Sequence, residues 1–89
     1  MKKEREGVRA KPIDFGTFIL SLASSAQVHL GAVPNPVTGT SERDFPLAQQ
    51  TIDILGMLEE KTKGNLSPEE EHLLSALLYD LRVMYIEMQ

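Results

Sequence analysis

The chain has 89 residues, a formal net charge of −4 and no cysteine. That length holds one small domain, and the missing thiols exclude disulfides, thiolate metal sites and thiol catalysis. The acidic balance argues against nucleic acid as the main partner.

Charge is unevenly placed. Residues 1–12 hold five Lys or Arg against two Glu, while residues 13–89 hold four against eleven Asp or Glu. The first segment is poor in apolar residues and ends in Pro12, so a disordered basic tail is expected there. Its positive charges would allow weak, salt-sensitive contacts with nucleic acid, acidic lipid or an acidic partner, without specificity. The plainer reading is a solubilising end, and the acidic body favours it. The basic start runs into Gly7, Val8, Arg9 and Lys11 rather than an apolar stretch, so no signal peptide is expected.

Residues 13–89 are expected to form a single helical domain. A first helix is predicted over residues 14–30, with Asp14 as N-cap and Gly31 just past its end. Phe15, Phe18, Ile19, Leu22, Ala26 and Leu30 share one face at helical period. Thr17, Ser21, Ser24 and Val28 lie opposite, with Leu20 at the flank. That outer face is uncharged where a solvated helix would carry Lys and Glu, which points to a further contact. The stretch Phe15–Val33 is long enough to span a bilayer, but Thr17, Ser21, Ser24, Ser25, Gln27 and His29 make it too polar to do so. A cytoplasmic protein with no membrane contact is therefore expected.

Residues 32–43 read as a loop. Pro34 and Pro36 impose extended or turn geometry and Gly39 suits a tight turn. It is a long connection for a small domain, of a kind that is often functional. A second helix is predicted over 45–63, capped by Asp44 or Phe45, with Pro46 in its first turn and Lys61 and Lys63 near its C-terminus. Leu47, Thr51, Ile54, Leu55 and Leu58, widened by Ala48 and Ile52, form its core stripe. A short turn at 64–66 follows.

The third helix, predicted over 68–88, has the strongest start signal in the chain. Ser67 caps it, Pro68 takes the first position and Glu70 completes a capping box, while Glu69, Glu70 and Glu71 sit at the positive end of the dipole. This helix carries two apolar stripes. Leu74, Leu77, Leu81, Met84 and Met88 form the larger one. Ala76, Tyr79, Val83 and Ile86 form the other. A surface helix of a lone domain needs one. Two imply a helix packed on both sides, as at a subunit interface.

Two blocks carry a family resemblance: residues 18–31, FILSLASSAQVHLG, and residues 46–66, PLAQQTIDILGMLEEKTKGNL. With the later Glu69-Glu-Glu and Leu77-Leu-Tyr-Asp-Leu-Arg82, the chain resembles a bacterial family catalogued as a domain of unknown function, number 1844 (DUF1844). The resemblance covers roughly residues 13–86. It implies a short, soluble, mostly helical protein, and it implies no activity, substrate or cofactor.

Candidate chemistry is sparse. Glu69 and His72 form a Glu-x-x-His pair on one helical face, the spacing used at di-metal sites in helix bundles. A dimer would have to supply the second copy, and Glu59 or Glu60 a further ligand. Helix capping explains the same glutamates more simply. His29, near the end of the first helix, is a candidate pH-responsive contact or ligand; the plainer reading is a half-buried histidine without ligand partners. Asp53 and Asp80 are candidate paired carboxylates, but no nucleophile or base accompanies them. Asp53 reads as solvated, and Asp80 as a charge able to meet Arg82 or Arg43 across a dimer. Ser21, Ser24 and Ser25 lack any nucleophile elbow and read as small residues for close packing.

The expected protein is thus an all-α, three-helix domain on a helical-hairpin base, assembled as a homodimeric bundle. Its expected role is non-enzymatic: a self-associating interaction module with room for an unidentified protein partner. No cofactor, metal site or catalytic residue is assigned. The alternatives are a metal- or small-ligand-binding domain at a subunit interface and, more weakly, accessory nucleic-acid binding through the tail.

Overall fold

Each helix begins on a side chain that closes its first turn. In the computed structural model, which describes residues 13–89, Asp14 Oδ1 accepts from the Thr17 amide at 2.7 Å and starts α1, Phe15–Leu30. The Thr17 backbone and side-chain hydrogen bonds hold the Asp14 carboxyl below its ordinary pKa, because both favour the charged form. Asp44 Oδ1 accepts from the Leu47 amide at 3.1 Å and starts α2, Phe45–Lys61. At α3, Pro68–Met88, the capping box is complete: Glu70 N donates to Ser67 Oγ at 3.1 Å, and Ser67 N to Glu70 Oε1 at 2.9 Å. The basic tail expected over 1–12 lies outside the described residues.

The ends follow equally local rules. Gly31 adopts φ 81°, and the pair Gly31 N to Val28 O and Ala32 N to Gln27 O, both 3.0 Å, closes α1 as a Schellman turn. The second helix stops at Lys61, two residues before the expected Lys63. There the Thr62 hydroxyl takes the Leu58 carbonyl at 2.6 Å, and Asn65 N reaches back to Thr62 O, so a turn through Gly64 (φ 84°) replaces the last helical residues.

The described residues are all-α, with no strand among them, and every pair of helices is in contact. Asp44 N donates to His29 O at 2.7 Å, so α2 starts beside the end of α1. Phe45 stacks edge-on against Tyr85, with ring centroids 5.6 Å apart at 78°. Near the other end of the pair, Ser75 Oγ donates to Glu59 Oε2 at 3.2 Å. The α2–α3 pair is therefore the expected antiparallel hairpin. Gly16, next to Leu73, sets α1 alongside in the direction of α3.

The core consists of Ile19, Ala23, Ala26 and Leu30 of α1, Ala48, Ile52 and Leu55 of α2, and Leu74, Leu78 and Leu81 of α3. The three alanines are small enough to let the helix backbones approach. Buried Thr51 donates its hydroxyl to Leu47 O at 3.0 Å, and no buried side-chain polar atom among the described residues lacks a partner.

Several expected core positions lie at the margin instead. Phe18 and Leu47 are 38% and 42% exposed, at the outer flanks of α1 and α2. On α3 the buried arc runs through Leu78, with Leu77 and Met84 only half-buried. The reason is geometric. In a three-helix bundle each helix points into the groove between the other two, and the centre of its arc is set by where both neighbours sit. Tyr85 meets Phe45 of α2 and Leu73 lies beside Gly16 of α1, and Leu74, Leu78 and Leu81 take the buried centre of the arc.

The 32–43 loop is closed on itself. Asn35 N donates to Thr40 O at 2.8 Å, Gly39 N to Asn35 O at 2.7 Å and Val37 N to Asn35 Oδ1 at 2.8 Å. Gly39 supplies the positive φ of 75° that this turn requires.

Candidate interaction surface

The α3 residues opposite the core are apolar. Tyr79 and Ile86 are 70% and 71% exposed, Ala76 is exposed beside them, and Val83 is half-buried between them. This is the second stripe expected from the sequence; it lies on the side of α3 away from the core, with Ile86 at the groove beside α2. The buried side of α3 already satisfies what a three-helix domain requires. The outer stripe leaves large apolar side chains in water with no role in the fold of one chain.

Charge borders the stripe unequally. Asp80 and Glu87 lie along one edge and Arg82 along the other, all exposed. Arg82 leans toward α2: a Cβ at Gly56 would lie 3.2 Å from its Nη2. Between Arg82, Tyr85 and Ile86 of α3 and Gln49, Ile52 and Asp53 of α2 runs a groove of about 300 Å³.

Exposed apolar side chains also occur on the other two helices: Leu20 of α1 is 47% exposed and Met57 of α2 is 51%. The small polar side chains on the outer face of α1 are bonded locally or exposed. Ser21 Oγ donates to Phe18 O at 2.7 Å, and Thr17 and Ser24 are exposed.

The titratable candidates do not converge. Glu69 and His72 are both exposed on the first turns of α3. His72 and Glu71 line a cleft of about 510 Å³ with Glu59, Lys63 and Ser75, but Glu69 is not part of it. Among the described residues no group of three or more His, Asp or Glu is arranged to hold a metal ion. His29 is half-buried; it borders a shallow hollow with Ser24, Ser25, Val28 and Pro36 and, on its other side, a pocket of about 250 Å³ with Glu42, Arg43 and Asp44, none of them among the candidate acid–base or metal-binding residues. Asp53 is exposed and accepts from Gln49 Nε2 at 2.8 Å, on α2, while Asp80 lies on the outside of α3. The two carboxylates do not form a pair. The glutamates at the start of α3 do what capping predicts, through Ser67 and Glu70.

The outer stripe of α3 and the place of Leu20 at the flank of the outer face of α1 are legible in the sequence; the exposure of Leu47, Met57 and Val37, the last 90% exposed in the loop, is not. For Leu47 the only sequence signal was its place at the edge of its stripe.

The model of a family described as "Domain of unknown function (DUF1844)" matches residues 12–87. No curated protein and no solved structure matches the chain. Among the described residues no helix is long and apolar enough to cross a membrane.

Proposed function

We propose that this chain, which belongs to the DUF1844 family, is a non-enzymatic interaction module that works as a homo-oligomer. The observation that carries this reading is the outer face of α3, where Ala76, Tyr79, Val83 and Ile86 form a continuous apolar stripe on the side away from the core. Burying such a stripe is favourable by about 25 cal/mol per Å² of apolar surface, and a second subunit offers that burial where water does not. Tyrosine at the centre of a contact is also the residue type that interfaces favour. The dispersed titratable groups supply no nucleophile–base pair for chemistry. A cysteine-free chain with 25% charged residues fits a cytoplasmic home.

Light scattering at micromolar concentration tests the reading. The expected mass is that of a dimer or larger, and Val83→Glu is expected to lower it while the far-UV spectrum stays helical. A monomer mass that does not change with concentration overturns the reading. Because an obligate dimer would unfold in that variant, Tyr79→Ser, a milder change at an exposed position, provides the second measurement.

A second reading, a metal- or small-ligand site at a subunit interface, draws on the cleft that Glu59, Glu71 and His72 share. Within one chain these three side chains are not arranged to hold a metal ion, so a second subunit would have to complete the set. Stoichiometric metal in the purified protein would support it.

A further inference from the structure

The outer stripe of α3 has a register as well as a composition. His72, Ala76, Tyr79, Val83 and Ile86 succeed one another at spacings of four, three, four and three. This is the heptad seam of a two-stranded coiled coil, with Ala76 and Val83 at the a positions and His72, Tyr79 and Ile86 at d. The edges are then fixed. Leu73, Asp80 and Glu87 are the e positions, and Ser75 and Arg82 are the g positions. All of these except half-buried Leu73 are exposed.

From this register, and resting on the self-association proposed above, we infer that the occupant of the stripe is a second copy of this chain, whose α3 lies parallel to the first about a two-fold axis. In a parallel pair each g residue faces the e residue of the next heptad in the other strand. Arg82 then lies across from Glu87 of the partner subunit, and the two-fold axis repeats the pair. Ser75 lies across from Asp80 of the partner subunit. An antiparallel pair sets like edges together instead. Asp80 and Glu87 would then run against the same acidic edge of the other copy, and Arg82 would have no carboxylate opposite it. Opposite charges at these edges set partner orientation, and like charges directly opposite one another are unfavourable. The small Ala76 and β-branched Val83 at the a positions suit a close two-stranded contact.

The absence of cysteine from the chain makes the orientation directly readable. In a parallel two-fold pair every seam residue faces its own copy. Ala76→Cys and Val83→Cys, made separately, are both expected to give disulfide-linked dimers under mild oxidation. Each should form well ahead of Gln50→Cys, an exposed position on α2 that controls for random collision. In an antiparallel pair at most one of the two can link. If position 83 faces itself, the two copies of position 76 are separated by 14 residues of rise, about 21 Å. A disulfide needs Cα atoms about 4.4–6.8 Å apart.

Fast linking of both variants supports the parallel pair. Linking of one or neither, in a protein whose parent has a dimer mass by light scattering, overturns the arrangement and leaves self-association standing. A monomer mass for the parent overturns both. The charge assignment has its own test. Arg82→Glu is expected to raise the dimer dissociation constant about tenfold, since two pairs change from attractive to repulsive, and adding Glu87→Arg is expected to restore it. An unchanged constant in Arg82→Glu overturns the pairing of Arg82 with Glu87 of the partner subunit.

Discussion

Gly56 shows how much a single residue's setting decides. It lies inside α2 with an ordinary helical backbone, so glycine is not needed there for its φ. Alanine in a helix interior is favoured over glycine by about 1 kcal/mol. Outside its own helix, an added Cβ would meet Arg82 Nη2 at 3.2 Å, the far end of an exposed, flexible side chain. Gly56→Ala is therefore expected to stabilise the fold by about 0.5–1 kcal/mol, seen as a higher urea midpoint with an unchanged slope. A lower midpoint would mean that Arg82 cannot yield. Gly31 is the opposite case. Its φ of 81° belongs to the left-handed region, and a Cβ there would come within 2.8 Å of Arg43 Cγ. The sequence distinguishes these glycines by position alone: one follows the last apolar residue of a helix, and the other sits in the middle of one.

Helix boundaries were legible because capping is local chemistry. Asp14, Asp44 and Ser67 were read as caps or candidate caps, and each accepts from the amide three residues on. Ser67→Ala combined with Glu70→Ala is expected to cost about 1–2 kcal/mol, because two helix-start donors lose their acceptors. Urea denaturation checks this; an unchanged midpoint would place the effective start of α3 elsewhere. Helix faces were less legible. On α3 the sequence pattern picks out Leu74, Leu77, Leu81, Met84 and Met88 as the larger stripe and omits Leu78. Periodicity finds that a helix is amphipathic, but the centre of the buried arc depends on two neighbours whose positions no single-helix pattern contains. The outer stripe of Ala76, Tyr79, Val83 and Ile86 was legible because nothing in the fold competes for that side.

The whole molecule is a small core with a large rim. Among the described residues the ten buried apolar side chains of the core include three alanines, so the stability of the domain is concentrated in a few leucines and isoleucines. Leu78, 1% exposed between the other two helices, is expected to cost about 2–5 kcal/mol when replaced by Ala, mostly through the cavity left behind. Thermal or urea unfolding measures it, and a loss below 1 kcal/mol would show that the bundle can close around the gap. The candidate site was read from sequence only as a stripe without a partner. The dispersal of Glu69, His72, His29, Asp53 and Asp80 needed three dimensions to see.

The edge-on contact between Phe45 and Tyr85 has an optical consequence. The chain has no tryptophan and two tyrosines. Tyr85 is held against an aromatic ring at the seam of the α2–α3 hairpin, while Tyr79 stands 70% exposed in the middle of the outer stripe. The tyrosine part of the near-ultraviolet signal, which lies to the long-wavelength side of phenylalanine absorption, therefore comes from two chromophores in different surroundings. Tyr85 reports on whether the hairpin is closed, and Tyr79 reports on what covers the outside of α3. Replacing either one by phenylalanine leaves a chain whose remaining tyrosine watches a single event, without an added dye or label.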